Sequence, residues 1–272
     1  MKKVCLLGRG PSILALEGVN VDDIDDFVLV NNHAVTLQNQ AIFEKIKNKN
    51  IYVICNNNQA GFIPAVLERI NVTQCVTNRL KPDWKLWSEY KSAQKKHHQG
   101  GYLNNLDYLP FLAEDEPYRN AWRGPEGRNL DVMYTYNGLQ IEHMPEEAEQ
   151  YLIEIYDNNL VCNCGYYATL YALLKLKADH IVYYGMDFYE NINILKSWYV
   201  DSPPYLSTPW RQLRMKYEGE HMKVLWNDYL TKYFPDSKFE FNTVANWNFN
   251  HENIIYNKIV FSDSSKSNRT YL

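Results

Sequence analysis

The sequence predicts an α/β domain: a mostly parallel sheet flanked by helices, with a small lid and insertion region. Three observations predict it. Four short apolar runs, at 3–7, 27–30, 51–55 and 180–184, alternate with stretches of helical character, the pattern of strands joined by crossover helices. The first run ends in a tight glycine turn, Gly8-Arg9-Gly10-Pro11-Ser12. The 272 residues, 46% of them hydrophobic, suffice for one large core carrying an insertion.

The turn after the first strand carries the strongest chemical signal. Gly8 and Gly10 lack a Cβ, so backbone can approach a ligand there, and Ser12 can open the helix expected at 13–16. Helix N-termini at such turns attract phosphate through free N–H groups and the dipole. That points to a nucleotide or another phosphate. The spacing lacks the third glycine of dinucleotide-binding folds, since Leu14 and Ala15 follow Ile13, so an NAD enzyme is disfavoured.

Asp22-Asp23-Ile24-Asp25-Asp26 comes next. It looks like a metal-binding Asp-x-Asp, but it precedes the second strand, so its carboxylates point away from the crevice. An acidic loop is the better reading. Asn31-Asn32 follow the second strand and Asn56-Asn57-Asn58 the third. Asparagine is a common turn residue, yet three strand ends carrying glycine or amide all face the crevice where open α/β sheets bind ligands. Helices are expected at 41–47 and 63–70.

From 81 to about 130 periodicity fades, and Trp84, Trp87, Tyr90, Tyr108 and Trp122 punctuate a stretch read as an insertion. Pro145-Glu146-Glu147 begins a helix, with proline first, acids in the first turn and Leu152, Ile155 and Tyr156 as its apolar positions. The clearest helix is 165–177, with Leu170, Leu173, Leu174 and Leu176 available for a core. It leads into the strand at 181–184 and then Gly185-Met186-Asp187-Phe188-Tyr189. Residues 190–216 read as an aromatic lid, followed by a helix at 220–233 and a strand at 239–244. The polar segment 263–272 reads as a disordered tail, leaving 1–262 as one domain.

A net charge of −4 without a long basic run argues against nucleic acid as a partner. Lys95-Lys96-His97-His98 is the densest basic spot and reads as a solvated loop. The cysteines Cys5, Cys55, Cys75, Cys162 and Cys164 are odd in number and include no C-x-x-C, which fits reduced thiols in a cytoplasmic protein. Met-Lys-Lys followed by four apolar residues is no signal peptide, and no apolar stretch approaches about eighteen residues. A soluble cytoplasmic protein is expected, with peripheral contact at the inner membrane face left open. His97, His98, His143 and His251 stand apart from other ligand types, so no metal site is expected. The 22 tyrosines and 7 tryptophans suit sugar or base recognition, although core packing accounts for most of them.

Four segments together, Gly8-Arg9-Gly10-Pro11-Ser12, Val30-Asn31-Asn32, Asn163-Cys164-Gly165-Tyr166 and Tyr184-Gly185-Met186-Asp187-Phe188-Tyr189, resemble bacterial lipooligosaccharide sialyltransferases of glycosyltransferase family 42. The block from 159 to 190 is the most specific part, while 60–155 and 190–216 have no clear counterpart. The resemblance implies a Rossmann-like nucleotide domain with a small lid. It implies transfer of an acid sugar from a CMP donor to a glycan hydroxyl, with inversion and without a metal or other cofactor. Gly8, Arg9, Gly10 and Ser12 would line the donor phosphate and ribose, and Asn31, Asn32 and Asn56 the nucleotide. Asn163, Cys164 and Gly165 would approach the sugar carboxylate or cytidine, near Gly185 and Asp187.

By the same resemblance Tyr189 and Tyr217 would bind the departing phosphate and His221 would be the base. Histidine suits that task because its pKa lies near neutrality. The chain departs from the family pattern at Arg9, at Cys164 and at Leu160 or Val161. Two other readings stay open: a pterin-type diphosphokinase, which needs magnesium-binding acids where Asp187 alone is well placed, and an inactive nucleotide- or glycan-binding module. Homo-oligomerisation is open as well.

Overall fold

The computed structural model describes residues 1–30, 39–55, 71–77, 135–136, 139–158, 160, 162–190, 219–246 and 248–261. The helix expected at 63–70, the insertion, the lid beyond Glu190 and the polar tail lie outside these residues. Within them the chain is an α/β fold built on one sheet. Its strands are β1 (Lys3–Leu7), β2 (Asp26–Val30), β3 (Asn50–Cys55), β4 (Gln74–Thr77), β5 (Thr135–Tyr136), β6 (Leu139–His143), β7 (His180–Tyr184), β8 (Lys238–Thr243) and β9 (Ile254–Lys258).

The spatial order is β5-β6-β4-β3-β2-β1-β7-β8-β9. Every neighbouring pair from β6 to β9 is parallel, and only the short β5 runs antiparallel, against β6. The chain therefore winds outward from β1 in one direction through β2, β3, β4 and β6, then crosses back to place β7 on the other side of β1. Such a reversal of strand order opens a crevice beyond the carboxyl ends of the two central strands.

A parallel sheet is covered on both faces, so its strands read as continuous apolar runs. Alternation divides each run between two cores. Val4 and Leu6 of β1 join one core with Val28, Ile181, Tyr183, Phe239 and Phe241. Cys5 and Leu7 join the other with Phe27, Leu29, Val53 and Val182. The first core is roofed by α2 (Ala148–Asp157), α3 (Cys164–Leu174) and α4, a helix over 219–233 whose middle, Leu225–Leu230, is wound as a π-helix. The second is covered by a 3₁₀ segment, Pro11–Gly18, and by α1 (Gln40–Ile46). Ile13, Leu16, Ile42 and Ile46 are fully buried beneath them, each worth about 1.5–3 kcal/mol relative to exposure.

Several expectations shift in detail. The helix expected at 13–16 is 3₁₀, with Pro11 at its head and Gly10 at the capping position; Ser12 lies inside it and does not open it. The helix expected at 165–177 stops at Leu174, and Lys177 takes a left-handed φ of 57° that ends any helical run. Strands β4, β5, β6 and β9 were not foreseen. Among the described residues no helix is long and apolar enough to cross a membrane.

Candidate functional site

Register fixes what meets at the crevice. Leu7 lies level with Leu29 on one side and Tyr184 on the other, and Tyr184 with Asn242. The segments leaving β1, β7 and β8 therefore emerge side by side. Gly8 N–H donates to the Tyr184 carbonyl at 2.7 Å and Gly10 N–H to the Gly185 carbonyl at 2.8 Å. The Gly185 N–H donates to Ser12 Oγ at 2.7 Å.

Asp187 ties the three segments together. Its Oδ2 accepts the Ser12 N–H at 2.9 Å, and its Oδ1 accepts the Thr243 hydroxyl at 2.8 Å and the Val244 N–H at 3.0 Å. Thr243 Oγ1 accepts in turn from Ala245 N–H at 3.1 Å. The carboxyl is 3% exposed. Burial pushes its pKa above the ordinary value, against the opposing pull of the Ser12, Thr243 and Val244 hydrogen bonds. This carboxyl group occupies the place at the head of the 3₁₀ segment that a bound anion would otherwise take.

This geometry corrects the sequence argument about the first turn. The N–H groups of Gly8, Gly10 and Ser12 are engaged by the chain itself, that of Ile13 bonds the Gly10 carbonyl, and Pro11 has none. The absence of Cβ atoms serves packing. A Cβ on Gly8 would strike the Gly185 carbonyl oxygen, and one on Gly10 would strike the Asp187 carboxylate. Gly185 needs glycine twice over, for its φ of +73° and because a Cβ there would strike the Gly8 carbonyl oxygen. The amides of Gly8, Gly10, Ser12 and Ile13 thus form no free ring for an anion, and Arg9, between the two glycines, is half-buried.

Two further elements close on the same place. Asn163 caps α3, its Oδ1 accepting from Gly165 N–H at 2.9 Å and Tyr166 N–H at 3.2 Å. A Cβ on Gly165 would meet the Met186 methyl, so the α3 N-terminus packs directly on the loop after β7. Cys164 is 6% exposed. The start of α4 touches all of this: a Cβ on Gly219 would strike the Phe188 carbonyl oxygen, the Asn163 amide contacts the Met222 sulfur, and Lys223 Nζ pairs with Glu190 at 3.0 Å. Glu190 also accepts the Asn246 N–H at 2.7 Å. His221, half-buried, belongs to this same first turn of α4.

The structure therefore gathers Gly8, Arg9, Gly10, Ser12, Asn163, Cys164, Gly165, Gly185, Asp187 and Tyr189 at one edge of the sheet, with the α4 turn that carries His221 against it. Asn31, Asn32, Asn56 and Tyr217 lie outside the described residues. The acidic run sits at the opposite edge, at the amino ends of the strands. There Asp26 pairs with Lys2 at 2.7 Å, Asp23 with Lys3 at 2.7 Å, and Asp25 accepts the Lys3 N–H at 3.0 Å. Burial pushes the thiols of Cys5, Cys75 and Cys162 upward, Cys75 to about 11, which leaves them poor nucleophiles. Among the described residues no three His, Cys, Asp or Glu side chains group as a metal site would require.

Sequence reasoning missed Thr243, Val244, Glu190 and Lys223. The signal for Thr243 was present, since it ends a strand on the crevice side; Lys223 looked like any surface helix lysine. Compared with protein-family models, with curated proteins and with solved structures, the chain matches none.

Proposed function

We propose that this chain is an inverting, metal-independent glycosyltransferase that moves an acid sugar from a CMP-activated donor to a glycan hydroxyl at the cytoplasmic side. The observation that carries the reading is the junction of the Gly8–Ser12 turn with the Gly185–Tyr189 segment at the reversal of strand order. These are the two motifs on which the resemblance rests, 173 residues apart between Ser12 and Gly185, and ligands of open α/β sheets bind at that position.

In this reading the His221 imidazole takes the proton of the acceptor hydroxyl as its oxygen forms the bond to the anomeric carbon. The bond from that carbon to the phosphate oxygen breaks on the opposite face, and CMP leaves with the electron pair. The Tyr189 and Tyr217 hydroxyls donate hydrogen bonds to the phosphate as its charge grows. Arg9 offsets the donor's negative charge, the role left to it once the backbone amides of its turn are engaged. Asp187, with both oxygens bonded to its own chain, keeps the two motifs in register. That engagement favours the transferase over a diphosphokinase, which would need the same carboxylate for magnesium.

The test is a thermal-shift screen with CMP, CDP, ATP and GTP, followed by turnover of a CMP-sugar. Stabilisation by cytidine nucleotides is expected. His221→Ala should reduce transfer by about 10²–10⁴-fold with CMP affinity little changed. Absence of affinity for every cytidine nucleotide in isothermal titration overturns the donor assignment.

A further inference from the structure

The backbone is under strain at one place on this crevice. Phe188 has φ 50° and Tyr189 φ 58°, and the Glu190 N–H closes onto the Asp187 carbonyl at 3.0 Å. This is a tight turn with both central residues left-handed, positions that ordinarily go to Asn and Gly because left-handed backbone crowds any larger side chain. Here both are bulky aromatics. Such strain persists only where surroundings over-determine it, and it concentrates where a ligand is held.

The surroundings do so along the whole turn, Tyr189 included, which packs against the first core. Asp187 is fixed by its three hydrogen bonds. The Phe188 ring, 4% exposed, is packed among Trp226, Phe241 and Phe249 at 6.2, 5.5 and 6.4 Å between ring centres. Its carbonyl is backed by Gly219, which leaves no space for a Cβ. Glu190 is held by Lys223 and the Asn246 N–H. Tyr189 is the residue these anchors enclose, and it is half-buried.

We propose that the Asp187–Glu190 turn is a strained positioning device in which Phe188 is the positioning residue and the aim of the Tyr189 side chain is what it sets. The inference rests on the nucleotide-site reading above. Phe188 itself touches no ligand. Its burial in the aromatic cluster forces the left-handed backbone that a tyrosine would not adopt unaided, and the hydroxyl is thereby presented without reorganisation when the nucleotide arrives.

Two arms test this on the full chain. The first compares Tyr189→Gly with Tyr189→Ala, which both remove the ring. At ordinary φ the alanine chain is the more stable, because glycine has more freedom to lose; at a left-handed φ the order inverts. The glycine variant is expected to melt about 2–4 °C above the alanine variant. The second arm titrates CMP calorimetrically into wild type, Phe188→Leu, Tyr189→Gly and the double variant, with Phe188→Met in reserve should leucine pack poorly.

Phe188→Leu retains the tyrosine hydroxyl, yet a loss of affinity on the order of tenfold is expected, and no additional loss once residue 189 is glycine. Equal losses in both backgrounds indicate a merely structural Phe188 and overturn the proposal. So does an alanine variant that melts above the glycine variant. Should wild type not bind CMP, the donor assignment falls, and the melting order alone decides: glycine above alanine supports a turn strained for another ligand, and the reverse order ends the inference.

Discussion

Asp187 illustrates how one side chain can unite three chain segments far apart in sequence. Ser12, Asp187 and Thr243–Val244 meet through three hydrogen bonds to one carboxylate. Asparagine cannot replace it, because an amide nitrogen would face the Ser12 N–H or the Val244 N–H, donor against donor. Asp187→Asn is expected to lower stability by about 1–3 kcal/mol, the usual cost of a buried donor left without its acceptor, as read by urea unfolding at pH 7. Burial raises the folded-state pKa of this carboxyl, so the folded chain binds a proton where the unfolded chain has released it. Stability from this group is therefore fully present below the unfolded pKa, near 3.8, and declines as pH rises through the folded value. The deficit of Asp187→Asn relative to wild type should accordingly be largest in acid and shrink toward neutrality. Gly10→Ala probes the same contact from the other side: its Cβ meets the carboxylate, and a loss of about 1–3 kcal/mol is expected from the forced shift. The sequence motif marked Gly8, Gly10 and Asp187 but assigned them to a ligand. Contacts such as that of Ser12 with Asp187 were illegible because they join residues 175 apart, which no local pattern encodes.

Elements were legible in proportion to how evenly they are buried. Strands β1 and β7 have the bounds the apolar runs gave, since burial on both faces leaves no polar position to interrupt them. β9 was hidden because only Ile254 of its five residues is buried, as befits an edge strand. β4 has four residues, too few to display a period. The π-helical middle of α4 has no counterpart in hydrophobic spacing; it brings Trp226 beneath the sheet, where the indole N–H reaches the Tyr183 hydroxyl at 3.1 Å. Thr169 Oγ1, from α3, shares that hydroxyl at 3.2 Å, and Tyr183 stacks on Phe241 with ring centres 4.3 Å apart. These four buried residues couple α3, α4, β7 and β8. Tyr183→Phe keeps the stacking and strands the indole N–H, so a loss of about 1–3 kcal/mol is expected. Tyr183→Phe combined with Trp226→Phe should then cost less than the sum of the two changes, because neither partner is left unsatisfied; a double-variant cycle by chemical denaturation reads this.

At the scale of the whole molecule, the reversal of strand order between β1 and β7 decides where a ligand can sit. That reversal follows from a parallel sheet whose first strand ends up central, which alternation of strands and helices predicted in kind but not in order. The charge layout agrees with it. In the acidic run 22–26, Asp23 and Asp26 pair with Lys3 and Lys2 at the amino edge, while Arg9 and the α4 turn bearing His221 occupy the carboxyl edge with Asp187 and Glu190. The central claim is that the carboxyl edge between β1 and β7 receives a cytidine nucleotide. A crystal structure of the chain with CMP tests it most directly. The account predicts phosphate oxygens within hydrogen-bond distance of Arg9 or the Tyr189 hydroxyl, beyond the ends of β1 and β7; CMP bound at any other face, or none bound at millimolar concentration, contradicts it.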